Sequence, residues 1–212
     1  MIILSHRGLW RNPRQQNTIG ALKLSLELGF GIETDIRDYG GTLVISHDVP
    51  DNRSTHLREL FEFYKNGDYR LMLALNIKSD GLHDQLSQLL SEFAITNYFV
   101  FDMSVPDGLL YAKNNFRAYT RQSEYESLPA FYDLAQGVWL DEFEDHWISE
   151  GLIKQHLRQG KEVCIVSPEL HKRSHLNEWC NYREWVSGLV NGKVMLCTDF
   201  PEKAREYFNG KN

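Results

Sequence analysis

At 212 residues, the chain is long enough for one domain with a core of its own and no need of disulfide staples. Its 42% apolar and 25% charged residues and net charge of −6 fit an ordinary globular protein and, without any basic block, exclude nucleic acid as the expected partner. No apolar run reaches the roughly 18 residues of a membrane span, and the apolar start Met1-Ile2-Ile3-Leu4 is halted by His6 and Arg7 too early for a signal peptide, so a cytoplasmic protein with no membrane insertion is expected.

Strand-like runs alternate with helix-like segments along the whole chain. Residues 2–4 read as a strand and 18–28 as a helix, with Ile19, Leu22 and Leu26 on one stripe, Thr18 as N-cap and Gly29 as its stop. Residues 31–36 form a second strand, Tyr39-Gly40-Gly41-Thr42 a turn, and 43–46 a short extra strand. Helix 57–64, strand 71–77, helix 82–93, strand 98–101 and helix 106–113 follow. Weaker strands at 117–120 and 138–140 precede a helix at 148–158, which Gly160 ends. Strand 162–166, helix 176–189, strand 194–197 and helix 201–208, opened by Pro201, complete the chain.

Eight principal strands, each preceding a helix, imply parallel pairing and predict a (β/α)8 TIM barrel. The barrel is expected to be one compact domain over residues 1–212, with a short extra strand after strand two. An open doubly wound sheet is the competing arrangement; the absence of a Gly-rich phosphate loop after strand one counts against its nucleotide-binding forms. Cys164, Cys180 and Cys197 lack metal-site spacing and read as reduced, buried thiols.

In such a barrel, chemistry belongs to the C-terminal ends of the strands, and polar residues collect there. His6 and Arg7 follow strand one. Glu33 and Asp35 stand two apart on strand two, so both point to the same side of the sheet. Paired carboxylates repel unless a cation or proton lies between them, and Mg²⁺ or Ca²⁺, which prefer oxygen ligands, is the natural occupant. His47 closes the extra strand over the same site. Asn76 and Lys78 repeat the two-residue spacing on strand three, an amide oxygen and a cation for a phosphate. Metal, Arg7 and Lys78 would neutralise phosphoryl oxygens, and two histidines titrating near neutrality would serve as base and acid.

The motifs His6-Arg7-Gly8, Gln16-Asn17-Thr18, Glu33-Thr34-Asp35, His47-Asp48, Asn76-Ile77-Lys78 and Thr198-Asp199-Phe200-Pro201 together resemble the successive motifs of the glycerophosphodiester phosphodiesterases, TIM barrels of the phospholipase-C-like phosphodiesterase superfamily. The resemblance runs from residue 2 to about 208 and is densest over the first 80 residues. It implies His6 and His47 as the general acid/base pair, Glu33 and Asp35 as metal ligands, Arg7 as a phosphate ligand and Lys78 as an aid at the phosphate, with Asn76 at a metal or substrate position. Three departures stand out. The family usually has Glu where this chain has Gln16, and Glu, a metal ligand, where it has Asn76; losing that charge weakens cation affinity unless a phosphate substrate supplies it. After strand seven, a common Trp-Thr is replaced by Val166-Ser167-Pro168-Glu169, with His171, Lys172, Arg173 and His175 beyond, which points to a different substrate-facing loop.

The remaining features have plainer readings. Asp48 is read as structural and outside the catalytic set, and Thr198-Asp199-Phe200-Pro201 as a strand-to-helix junction in which Thr198 and Asp199 cap the last helix. The run Asp141, Glu142, Glu144, Asp145 and His146 reads as a solvated loop, with Asp141 and Glu142 at the catalytic rim. The expected function is metal-assisted hydrolysis of a glycerophosphodiester-like small molecule to an alcohol and glycerol phosphate. A cyclic-phosphate-forming lyase and a phosphodiester-binding module of weakened turnover are the alternatives. Oligomeric state is not legible.

Overall fold

A computed structural model describes residues 1–189 and 193–210. In chain order it contains β1 (Ile2–His6), α1 (Ile19–Glu27), β2 (Gly31–Tyr39), β3 (Thr42–Ile45), β4 (Thr55–His56), α2 (Leu57–Asn66), β5 (Leu73–Ile77), α3 (His83–Glu92), β6 (Tyr98–Phe101), α4 (Val105–Lys113), β7 (Tyr119–Gln122), β8 (Gly137–Leu140), α5 (Glu150–Arg158), β9 (Glu162–Val166), α6 (Leu176–Val186), β10 (Val194–Thr198) and α7 (Pro201–Asn209).

Eight of these strands are parallel and follow one another round a (β/α)8 barrel. β1 pairs with β2 on one side and β10 on the other, β2 with β5, β5 with β6, and β7, β8, β9 and β10 pair in sequence. Between β6 and β7 the ladder is reduced to one parallel bridge, Val100–Ala118, where the Val100 N–H donates to Arg117 O at 2.9 Å. β3 and β4 lie outside this ring, as an antiparallel flap on the far end of β2.

The core has three parts. Leu4, Ala74, Phe101, Tyr119, Trp139 and Cys197 are among the side chains filling the barrel interior. Two larger clusters lie between sheet and helices, one under α1 to α4 and one under α5 to α7. The apolar stripe of α1 supplies Leu22 and Leu26 to the first, which is why its 3.6-residue period was readable.

One expectation fails. No helix separates β7 from β8 among the described residues; 123–136 run as turns and bends. Pro129 interrupts this segment because it lacks an N–H, and side chains of β7 take up its carbonyls. The Thr120 hydroxyl donates to Ala130 O and Gln122 Nε2 to Ser127 O. Nor are all three thiols buried: Cys180 is exposed, although all three are free. Among the described residues no helix is long and apolar enough to cross a membrane.

Candidate active site

The interior layer determines which side chains reach the barrel mouth. Successive side chains of a strand alternate sides, so residues two beyond the interior set also face inward. That step leads from Leu4 to His6, Ala74 to Asn76, Tyr119 to Arg121, Trp139 to Asp141 and Cys197 to Asp199. Glu33 and Asp35 are buried on β2.

The loop after β1 begins with two left-handed residues, Arg7 (φ 56°) and Gly8 (φ 87°). Gly8 is required there: a Cβ would lie 2.7 Å from the Ala21 carbonyl carbon. This sharp turn sends the Arg7 N–H to Glu33 Oε2 at 3.2 Å and its guanidinium Nε to within 2.9 Å of Asp35 Oδ2. Asn17 Nδ2 donates to the same Asp35 oxygen at 2.7 Å, and Asn17 Oδ1 accepts from the Thr34 hydroxyl at 2.8 Å. Lys78 Nζ lies 3.6 Å from Asp35 Oδ1 and donates to Asp102 Oδ2 at 3.0 Å. Asp102 reaches it because its own φ of 71° turns the chain just past β6. Its other oxygen accepts from Arg121 Nη1 at 2.6 Å.

His6 stands opposite. Its Nδ1 is 2.7 Å from Asp199 Oδ1 and its Nε2 is 3.9 Å from Glu33 Oε2. A carboxylate accepts only, so Nδ1 carries the proton and, in the neutral ring, Nε2 is the free base. Burial alone would lower the His6 pKa; the Asp199 hydrogen bond and the charges of Glu33 and Asp199 outweigh it and raise the value. Glu33 is pushed up to about 7, by burial first and then by Asp35, against the pull of His6, Arg7 and Lys78.

His47 sits in the loop after β3, half exposed, with Nδ1 2.9 Å from Asp48 Oδ1. The preceding residue ties this loop to the site, since the Ser46 N–H donates to Asp35 O at 3.0 Å. The His47 hydrogen bond lowers the Asp48 pKa. Among the described residues, His47 makes no side-chain hydrogen bond or ion pair with His6, Glu33 or Asp35. The other six candidates, His6, Arg7, Glu33, Asp35, Asn76 and Lys78, are brought together by ion pairs, hydrogen bonds or strand register.

Asp35 and Asn76 are direct register partners on β2 and β5. Asp35 Oδ1 and Asn76 Oδ1 are buried and accept no hydrogen bond. Buried oxygens that accept no hydrogen bond are costly, and together with Glu33 they form a hard-oxygen donor set that fits Mg²⁺ or Ca²⁺. No group of three or more His, Cys, Asp or Glu side chains is poised for a metal among the described residues.

Several sequence readings are corrected. Asp199 does not cap the last helix: the N-cap is Phe200, without a side-chain cap, and the Asp199 carboxylate holds His6. Asp48, read as structural, lies 2.9 Å from His47 Nδ1 and orients that ring. Glu142 is no solvated residue; fully buried, it accepts from the Trp147 and Ile148 N–H groups and the Tyr182 hydroxyl. Arg173 donates to Glu142 O and Glu178 and so packs the loop. Asp102 was missed as a site residue, while Asn17 and Asp199 stood in the quoted motifs, Asp199 read as a cap although it lies two past the inward Cys197.

The fold recurs in solved structures. A protein from Galdieria sulphuraria provisionally named a glycerophosphodiester phosphodiesterase matches with a TM-score of 0.76 at 18% identity, over 98% of this chain and 97% of its own. The glycerophosphodiester phosphodiesterase of Agrobacterium tumefaciens matches with a TM-score of 0.69 at 18% identity, over 99% of each chain. The fold is that of the glycerophosphodiester phosphodiesterases. An Oleispira antarctica phosphodiesterase, solved with its product sn-glycerol-3-phosphate, shares this glycerophosphodiester phosphodiesterase-like barrel with a TM-score of 0.69 at 16% identity, over 99% of this chain and 97% of its own. No protein-family model and no curated protein matches the sequence.

Proposed function

We propose that this chain belongs to the glycerophosphodiester phosphodiesterases and hydrolyses a glycerophosphodiester-like small molecule to an alcohol and glycerol phosphate. The observation that carries the reading is the His6 ring, held through Nδ1 by Asp199 with Nε2 turned toward Glu33, at a mouth that also gathers Asp35, Arg7 and Lys78. Nε2 is then free to take a proton from an attacking hydroxyl or water, or return one to a leaving alkoxide. His47, oriented by Asp48, supplies the complementary proton transfer from the β3 loop. Arg7 and Lys78 bring positive charge to the phosphoryl oxygens; both are shared with Asp35, which keeps them fixed before substrate arrives.

Glu33, Asp35 and Asn76 would hold the divalent cation. When bound, it would neutralise charge that develops on the phosphoryl oxygens. The test is incubation of the purified protein with a glycerophosphodiester and Mg²⁺ or Ca²⁺, followed by phosphorus NMR. Release of glycerol phosphate supports hydrolysis, an accumulating cyclic phosphate supports the lyase outcome, and unchanged substrate rejects both.

A further inference from the structure

At the mouth, the backbone pairing of β9 with β10 ends on the Ser167 N–H, which donates to Cys197 O at 2.9 Å. Beyond it the chain turns at Pro168 into a short 3-10 turn, Pro168–His171, and the N–H of Asp199 needs another acceptor. Glu169 supplies it. Its Oε1 accepts from the Asp199 N–H at 3.1 Å and from the Thr198 hydroxyl, and its Oε2 accepts from the Ser167 hydroxyl. Ser167 Oγ accepts in turn from Trp179 Nε1 of α6 at 2.8 Å, which anchors the carboxylate to the helix layer behind it. On the opposite edge of β10, register pairs Thr198 with Ser5. That sets Asp199 beside His6, with Oδ1 2.7 Å from His6 Nδ1. Glu169 thus comes from Val166-Ser167-Pro168-Glu169, the segment in which the sequence departs from the family pattern.

We infer that Glu169 is a positioning residue for His6: it fixes the backbone of Asp199, and through it the carboxylate that orients the imidazole. The inference rests on the phosphodiesterase reading above. Glu169 does not act on substrate itself. Its side chain is only 8% exposed, and Oε1 already accepts two hydrogen bonds, the capacity of a carboxylate oxygen. Thr198 is fully buried, so without this acceptor its hydroxyl and the neighbouring Asp199 N–H would lose their partner at a cost. The strand end would then shift to find new ones. Small displacements of a group that orients a catalytic base are felt at the reacting atoms. The acceptor geometry of Glu169, rather than its charge, is what holds Asp199, because both of the bonds concerned come from neutral donors. The Ser-Pro-Glu turn therefore braces the base from behind instead of facing the substrate.

The test compares Glu169→Gln, which keeps the Oε1 acceptor, with Glu169→Met, which fills the same space without one, and with Glu169→Ala as a smaller replacement. Two readouts are taken: kcat and KM on glycerophosphocholine with Mg²⁺, and, without substrate, the low-field proton resonance of the His6 Nδ1–H held by a carboxylate, assigned by its absence in His6→Ala. Glu169→Met and Glu169→Ala should lower kcat by about tenfold or more with KM within about threefold, and should shift or erase the resonance. Glu169→Gln should keep the resonance and stay within about threefold of wild type in kcat. In an Asp199→Asn background, Glu169→Met should cost less than about twofold more, because both changes break one chain of contacts. A resonance unmoved in Glu169→Met or Glu169→Ala overturns the inference. So does a Glu169→Gln protein that loses the resonance, or losses that multiply in the double variant. A wild-type protein that cleaves no glycerophosphodiester overturns the phosphodiesterase reading instead, and the resonance, read without substrate, then decides separately whether Glu169 holds Asp199 against His6.

Discussion

His6 Nδ1 and Asp199 Oδ1, 193 positions apart in the chain, lie 2.7 Å from each other, and so the first and last strands of the barrel jointly fix one imidazole. The carboxylate selects the tautomer with Nε2 free. Asp199→Asn, which preserves shape but offers an amide, should lower kcat by about tenfold or more with little change in KM, as for loss of a group that orients a catalytic base. His6→Ala should cost at least about a hundredfold. An Asp199→Asn enzyme within about twofold of wild type in kcat would remove this pairing from the mechanism.

The His47 side chain is oriented by Asp48 and stands half exposed. If it acts as partner acid or base, His47→Ala should also cost about a hundredfold in kcat, while the exposed position predicts an unchanged Tm. A loss below about fivefold would assign the second proton transfer to another group.

The buried oxygens of Asp35 and Asn76 that accept no hydrogen bond predict a cation requirement. Excess EDTA should abolish turnover, and Mg²⁺ or Ca²⁺ should restore it. Asn76→Glu adds a third carboxylate and should lower the cation concentration for half-maximal activity by about tenfold. Full activity in EDTA, or an Asn76→Glu variant with unaltered cation dependence, contradicts this ligand set.

Gly8 has φ +87°, and an added Cβ would sit 2.7 Å from the backbone of α1. Gly8→Ala therefore combines left-handed strain with overpacking and should destabilise by about 2–4 kcal/mol. The same change should move Arg7 and lower activity. Urea denaturation measures the first effect; a midpoint unchanged from wild type would show that the turn relaxes freely.

Outside the site, His156 is buried with Nε2 2.9 Å from Gln122 Oε1 and Nδ1 2.8 Å from the Tyr132 hydroxyl. Burial, and then the charge of Lys161, push its pKa down to about 4. The unfolded chain binds this proton near the ordinary value of about 6.5. The contribution is therefore complete above that pH and lost as pH falls toward 4. Calorimetric Tm values between pH 7.5 and 4.5 should drop more steeply for wild type than for His156→Gln; parallel curves would acquit this residue.

The barrel was legible because its signals are local. Continuous apolar runs such as 163–166 and 194–197 and the Leu22/Leu26 stripe are set by neighbours within one element. The missing helix between β7 and β8 was less legible, because what replaces it depends on Thr120 and Gln122 reaching across to a segment five to ten residues on. The same distinction runs through the site. His6, Glu33 and Asp35 announce themselves as polar side chains at the ends of apolar strands. Asp199 looked like a helix cap, since Thr-Asp-Phe-Pro is also good capping chemistry and nothing nearby in the chain shows that β10 returns beside β1.

Residue pattern alone determined which strands form, which way their side chains alternate and which polar groups stand at their C-terminal ends, because those depend on sterics and burial over a few residues. Only the closed tertiary arrangement decided that Asp199 would hold His6, that Arg7, Asn17 and Lys78 would converge on Asp35, and that Glu169 would meet the Asp199 N–H. Those pairings rest on distances between strands far apart in the chain, and hydrogen bonds and charges act only at the few ångströms that folding brings about.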